Sequence, residues 1–501
     1  MNLYARKYII NIWDNSEHIL ISLFFLTFTF NIRKVLLTPF SYLNGAFSEY
    51  NTFSFSWADL LMLSVIIIYA IKFFLCQYDF GNIKGKKTSC YNNLKEHIKN
   101  LLSIFFRPWK ISHETLFILL FLLWCVVSIA WSIYKPFAIY RSLTLLEILT
   151  FFYIVYLVIK ADSSFLRYYL YFILFSGTLQ SLLCIAQFIL GHSLGLSIIG
   201  ESFVSHGTPG VAKIIIDGVK HIRAYGTFPH PNILAGFLVI PIFIIVGKLF
   251  DNFRTKVIHE NNIGSHSSKS KAEGSISFPR ETRLLSKFNI LFFILLLINA
   301  IGLLLTFSRS AILGLSLGLV IFIFHVNHKN NIKKIVLTLL LLLIMGSFPA
   351  INFIHKHSSL LSIQSLAERD LYNNVSHETI NKNLVHGVGI GQFVINEYMF
   401  YPNMDGWQYQ PEHNSYLLIF SELGAIGFVL FSLMLISLTS SIKKGSLLTL
   451  LSFYCIIISF CFILFFDHYF WDIKIGTMIF AMGITLIKIE SVPSAIKYIS
   501  L

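Results

Sequence analysis

Long apolar stretches alternate along this chain with short polar clusters, and the length of those stretches is the first clue to its architecture. A bilayer core of ~30 Å takes about 20 consecutive apolar residues per helix. On that measure the pattern predicts twelve membrane helices, at 17–36, 57–76, 115–133, 140–159, 168–190, 232–250, 288–306, 310–325, 335–353, 414–438, 447–466 and 473–489. The eighth is the shortest. Between the spans, residues 191–231 mix apolar runs with Gly and Pro, and Asn261–Arg283, rich in Ser, Lys and Gly, reads as a polar loop. The longest connection, 354–413, predicts an interfacial helix from about Ile363 to Leu384, then Gly387, Gly389 and Gly391, then aromatic residues up to Trp407 that suit a headgroup-level surface. No internal repeat is evident. The expected fold class is all-α: a polytopic integral membrane protein of about 12 transmembrane helices, with a larger outer loop near 354–413.

Composition agrees with a membrane protein. Hydrophobic residues make up 55% of the chain and charged residues 13%, with a mean hydropathy of +0.69, which excludes an ordinary soluble globular domain. The formal charge of +14 is mostly a topology signal. Lys and Arg concentrate in 77–110, in 251–287, at Lys329, Lys333 and Lys334, and at Lys443 and Lys444. In a twelve-span arrangement these fall on one side with Arg6 and Lys7, and the positive-inside rule makes that side cytoplasmic, both termini included. Arg33 and Lys34, at the outer end of the first span, go against the rule; they either snorkel to the interface or mark a misplaced end. Basic residues spread over loops do not form the compact face that nucleic acid needs, so no nucleic-acid partner is expected. Cys76, Cys90, Cys125, Cys184, Cys455 and Cys461 fall in spans or on the cytoplasmic side, which argues against disulfides and a Cys-ligated metal. The first apolar run ends in Asn31-Ile32-Arg33-Lys34 without a small-residue cleavage site, so no cleavable signal peptide is expected.

Three polar positions fall at outward-facing ends of the predicted helices. Arg223 leads into Ala-Tyr-Gly-Thr-Phe-Pro-His-Pro-Asn232 at the start of the sixth span. Arg309 sits in Thr306-Phe-Ser-Arg-Ser310, between the seventh and eighth. His413 opens the tenth. A helix N-terminus presents unpaired N–H groups and a partial positive charge, which favours anions, and the planar fork of arginine binds phosphate oxygens in pairs. Together they would suit a diphosphate. The plainer reading makes the arginines interfacial anchors and His413 a cap. An imidazole titrates near 6.5; the helix N-terminus favours neutral His413 while Glu412 favours charge, and a neutral imidazole near pH 7 can take a proton from a hydroxyl.

The sequence His413-Asn414, nine residues, then Gly424-Ala425-Ile426-Gly427 resembles the signature of the O-antigen ligase and polymerase superfamily, bacterial integral membrane enzymes that move sugars off polyprenyl diphosphate carriers. Phe307-Ser308-Arg309-Ser310 is similar to the family's Ser-Arg turn, and Arg223 to Asn232 to its upstream Arg…Gly…Pro-Asn element. The resemblance is best from about 220 to 470. It implies His413 as catalytic base, Arg223 and Arg309 as ligands of the carrier diphosphate, and a reaction with no cofactor and no metal. Arg369, ahead of His386-Gly-Val-Gly-Ile-Gly391, resembles the family's outer-loop Arg before a Gly-rich turn. Asp467 and His468 could assist the site, bind acceptor or simply cap the eleventh span; with Asp472 they could in principle hold a metal. A nucleotide site is a poor reading of Gly387-x-Gly389-x-Gly391, since no strand–helix unit surrounds it.

These expectations divide one membrane domain into N-terminal helices (1–219), a ligase-like catalytic core (220–470), and a last helix with a cytoplasmic tail (471–501). The implied reaction is inverting transfer of a glycan from undecaprenyl diphosphate to an acceptor hydroxyl, at the periplasmic face of a bacterial inner membrane. The lipid A core oligosaccharide is the expected acceptor; a polymerase or a protein O-oligosaccharyltransferase would share the apparatus. A transporter or flippase of lipid-linked glycan would also have many spans, but it should carry ionisable residues at mid-span. Here Glu147 is the main one.

Overall fold

The computed structural model describes residues 13, 15–78, 112–216, 219–266, 280–325, 359–440, 448–489 and 492. The fold is mostly helical, with three two-stranded antiparallel ribbons in place of a purely helical architecture. In chain order the elements are α1 (Ser16–Thr27), β1 (Arg33–Leu36), β2 (Tyr42–Leu43), β3 (Ala46–Phe47), β4 (Phe53–Ser56), α2 (Trp57–Tyr78), α3 (His113–Val127), α4 (Lys135–Ala161) and α5 (Phe165–Leu190). Then come β5 (Lys213–Ile216), β6 (Val219–Ile222), α6 (Pro231–His266), α7 (Arg280–Leu305), α8 (Arg309–His325), α9 (Ser359–Lys382) and α10 (Phe393–Phe400). The chain closes with α11 (Ser415–Ser440), α12 (Leu448–Ile463), α13 (Tyr469–Asp472) and α14 (Lys474–Ile489).

Among the described residues six helices are long and apolar enough to cross a membrane: Trp57–Leu75, His113–Trp131, Lys135–Ala161, Phe165–Leu190, Pro231–Asn252 and Ser415–Thr439. Ser16–Thr27, Asn289–Leu305, Arg309–His325 and Thr449–Ile463 are apolar but shorter. The expected span at 335–353 lies outside the described residues. Among the described residues, length and composition thus give six candidate spans, and the expected count of twelve is not confirmed.

The first span is misplaced at its outer end. Its helix stops at Thr27, and Arg33–Leu36 pairs in antiparallel register with Phe53–Ser56, Arg33 opposite Ser56. Arg33 does not snorkel from a helix; it forms an ion pair with Glu49. Val35 in the first segment and Phe53 and Phe55 in the second fit a ribbon as readily as a helix, and an apolar count alone does not separate the two.

The centre of the bundle is α6. Its most apolar window is buried throughout, and it packs against α5, α7, α8, α12 and α14. A helix that is hydrophobic on every side has to be enclosed. Beside it, Gly314 and Gly318 lie one turn apart where α8 crosses α12. A Cβ at Gly318 would come within 2.5 Å of Ser459 Oγ, so the small residues set how closely these helices approach.

α11 is not a continuous helix. Gly424 has φ 66° and ψ −171°, and the chain resumes its helical course after it. The break is filled by the Gly-rich turn. Val388 N and Gly389 N donate to Ser421 O and Glu422 O (3.0 and 2.7 Å), while Ala425 N donates to Leu384 O (2.8 Å). Trp124 Nε1 donates to the carbonyl of Leu423 (2.8 Å). Non-helical backbone inside an apolar bundle survives only when its freed polar groups find partners of this kind. Glu422 fastens the break further: Oε2 accepts from Trp471 Nε1 (2.8 Å), and Arg141 donates to the Trp471 carbonyl (2.7 Å).

Candidate functional site

Four segments distant in sequence converge at one end of the bundle: the start of α6, the α7–α8 turn, the start of α11 and the end of α12. Ala224 N donates to Leu305 O (3.2 Å) and Ser415 N to Leu464 O (2.8 Å), which ties them in pairs. Asn414 caps α11, its Oδ1 accepting from Tyr416 N (3.0 Å) and Leu417 N (3.3 Å). Asx side chains are preferred N-caps because they satisfy such orphan donors. That cap fixes His413 one residue outside the helix. The α7–α8 turn holds Phe307 at φ 51°, a left-handed conformation uncommon for a bulky residue, and places Arg309 as the first residue of α8.

Asp467 joins three of these segments. Its Oδ1 accepts from Asn232 Nδ2 (2.8 Å), its Oδ2 from the Ser310 hydroxyl, and its carbonyl from Ser415 Oγ (2.6 Å). Arg223 extends the chain, donating from Nε to Thr306 O (2.7 Å) and from Nη2 to Asn232 Oδ1. Arg223 is thus anchored at two points, contrary to a loosely held loop residue. Arg309 is exposed and forms no side-chain hydrogen bond among the described residues. It is close enough to Arg223 that, after burial, its charge helps to lower the Arg223 pKa to about 10. One arginine is built in while the other is presented.

His413 stacks on His468 with ring centroids 5.1 Å apart and planes 11° apart; Tyr372 meets His413 edge-on at 5.7 Å. His468 Nδ1 is 2.8 Å from Asp472 Oδ1. The two imidazoles are driven in opposite directions. Burial, then the neighbouring His468, Arg369 and His230, hold His413 well below the ordinary histidine value. Burial opposes charge on His468 as well, but Asp472, with Asp467 and Glu412 behind it, outweighs burial and raises its pKa. Glu412 has partners of its own. Its Oε1 accepts from Asn414 N (3.0 Å) and its Oε2 from Ser376 Oγ (3.2 Å), and burial raises its own pKa.

Arg369, on α9, is exposed and near enough to act electrostatically on His413, Glu412 and Asp467. The structure thus brings Arg223, Arg309, Arg369, His413, Asp467 and His468 into one neighbourhood. Asp467 and Asp472 face different partners, and among the described residues no group of three or more His, Cys, Asp or Glu is arranged to hold a metal.

Sequence reasoning missed three members. His230 has its pKa lowered to about 3 by burial and by the charges of Arg223 and His468. Asn232 bridges Arg223 to Asp467, and Tyr372 packs on His413. The signal for His230 was its place between Pro229 and Pro231, which fix the backbone on either side. The His468/Asp472 pairing was legible as an i, i+4 spacing. Tyr372 had no local signal.

Chemically, the cluster offers a neutral imidazole beside cationic groups and helix N-termini. Residues 292–432 match the family model described as O-antigen ligase, which supports membership of that superfamily. The matched segment contains Arg309, Arg369 and His413, but not Arg223, Asp467 or His468. No curated protein matches the chain.

Proposed function

Starting from membership of the O-antigen ligase superfamily, we propose that this protein transfers a glycan from undecaprenyl diphosphate to an acceptor hydroxyl with inversion. The acceptor oxygen attacks the anomeric carbon, and its proton passes to His413. The bond from that carbon to the phosphate oxygen breaks, and the diphosphate leaves with the electron pair. Arg309 and Arg223 neutralise the charge growing on it, and Arg369 adds to the local positive potential. Stabilisation of developing charge by preset groups is often the largest catalytic term. The observation that carries this reading is the pairing of an imidazole held neutral with an exposed, unbonded arginine at a helix N-terminus. His413 is a base before substrate arrives, and Arg309 is uncommitted.

The acceptor is the lipid A core oligosaccharide, and the catalytic core occupies 220–470. Purified protein in detergent, given a carrier-linked glycan and lipid A core, should form a glycosidic bond between them. Chain extension with the carrier-linked glycan alone would make it a polymerase. Movement of carrier lipid in vesicles without any new glycosidic linkage would defeat the transferase reading in favour of a transporter.

The site faces the periplasm from the inner membrane, with both termini cytoplasmic. A single Ser265→Cys substitution in a background without native cysteines should resist an impermeant thiol reagent in intact spheroplasts; rapid labelling would reverse the orientation.

A further inference from the structure

A cavity lies next to the candidate site. Its walls are the β1/β4 ribbon, the loop that follows β3, the first turn of α4 and the α13–α14 junction. It is partly open to solvent. It meets the candidate site through Asp472, which holds His468, and through Tyr50, whose ring lies 5.7 Å from that of His468. None of Arg223, Arg309 and Asp467 lines it.

Two properties define what the cavity fits. Most of its charges are matched: Arg33 pairs with Glu49, Lys474 with Asp59 (2.8 Å) and Asp472 with His468, while Arg141, the remaining cation of the lining, donates to the Trp471 carbonyl (2.7 Å). An anion such as diphosphate finds here no cation free of other bonds, in contrast to Arg309. The lining also alternates aromatic faces with hydrogen-bonding groups. Phe47, Tyr50, Phe137 and Tyr140 line it together with Thr52, Ser54 and Ser56. A neutral sugar ring has that same alternation, with apolar C–H faces and a rim of hydroxyls, and aromatic groups with a polar tip suit such mixed surfaces. The walls are preset: Tyr140 Oη donates to Ser54 O (2.9 Å), and Phe53 stacks on Phe137 with planes 4° apart.

We propose that this cavity is the acceptor subsite, seating a neutral sugar ring of the glycan that supplies the attacking hydroxyl. The inference rests on the glycosyl-transfer reading. In an inverting displacement the nucleophile and the leaving group approach the anomeric carbon from opposite faces. The arginines serve the leaving diphosphate, and the cavity reaches the same imidazole pair through other residues.

Val35, on the exposed ribbon, lines the cavity and is 37% accessible, so added bulk there narrows the space without disturbing the core. Val35→Trp should raise KM for lipid A core by roughly tenfold or more, leaving donor KM and kcat at saturating acceptor near wild type. Phe47→Ala, at a half-exposed lining position, should act in the same direction by removing a stacking face. A rise in donor KM alone, or no change in either KM, would overturn the assignment. Binding can also be read without turnover. In a background lacking native cysteines, Val35→Cys should be shielded from maleimide by lipid A core oligosaccharide and not by the carrier-linked donor. Labelling indifferent to the acceptor would refute the subsite even if transfer itself were demonstrated. Wild-type protein that forms no glycosidic bond at all would instead sink the transferase reading.

Discussion

His413 and His468 stack face to face with centroids 5.1 Å apart, and only His468 has a carboxylate partner, Asp472. Protonation therefore favours His468 over His413, whose pKa is lowered by burial first and then by the neighbouring His468. Two identical side chains acquire different roles from one asymmetric contact.

Removing the imidazole should remove most of the chemistry. His413→Ala should leave expression and membrane insertion intact and lower turnover by ~10²–10⁴-fold, the usual contribution of a general base. Near-normal turnover with the native donor would show that His413 only caps the helix.

The pH profile follows from the two shifts. His413 has its pKa lowered, so its neutral form persists well below pH 6.5 and transfer should not decline as pH falls from 7.5 to 6. His468 has its pKa raised, so its cationic form persists above pH 6.5 and is lost as pH rises through that higher value. Asp472→Asn removes the partner that raises it, and should move the alkaline limb of kcat/KM toward lower pH. A limb that stays in place would show that His468 does not set it.

Arg309 should act through charge and geometry together. Lysine keeps the charge but loses the paired hydrogen bonds. Arg309→Lys should retain partial activity and Arg309→Ala almost none, with the larger effect on kcat if contacts tighten as the leaving group gains charge. Both variants should match wild type in thermal stability, because Arg309 is exposed and holds nothing else.

Arg223 should differ on that last measure. Arg223→Ala leaves Thr306 O and Asn232 Oδ1 without a charged donor, and hydrogen bonds to charged groups contribute about 1.5–3 kcal/mol. A fall in Tm together with activity is expected. Lost activity at unchanged Tm would mean that the anchor contributes nothing to the fold.

The break in α11 admits only glycine. Gly424→Ala would put a Cβ 2.3 Å from Val385 O, at a φ of +66°, and such strained backbone alone costs about 1–3 kcal/mol in a residue with a side chain. Gly45→Ala, also at positive φ (+85°) but with nothing within 4 Å, is the control. Gly424→Ala should unfold at clearly lower temperature than Gly45→Ala.

Local chemistry is enough to announce an apolar helical membrane protein, because a run of some 20 apolar residues has few other stable homes. It also picked out Arg223, Arg309 and His413, since a charged or polar residue beside a long apolar run is rare whatever its neighbours. The pattern failed where helix and ribbon look alike, as at Arg33–Leu36, whose pairing partner lies some twenty residues away. It did not foretell the helix break at Gly424, because the segment that enters the helix there arrives from residues 384–389. Above all, the helix N-terminus beside His413 pointed to a neutral imidazole, but nothing near it in the chain foretold how strongly its pKa is lowered. The groups responsible, His468, Arg369 and His230, come from three other parts of the sequence, and electrostatic shifts of this kind depend on distance and burial. Only folding brings those charges within range and removes the water that would screen them.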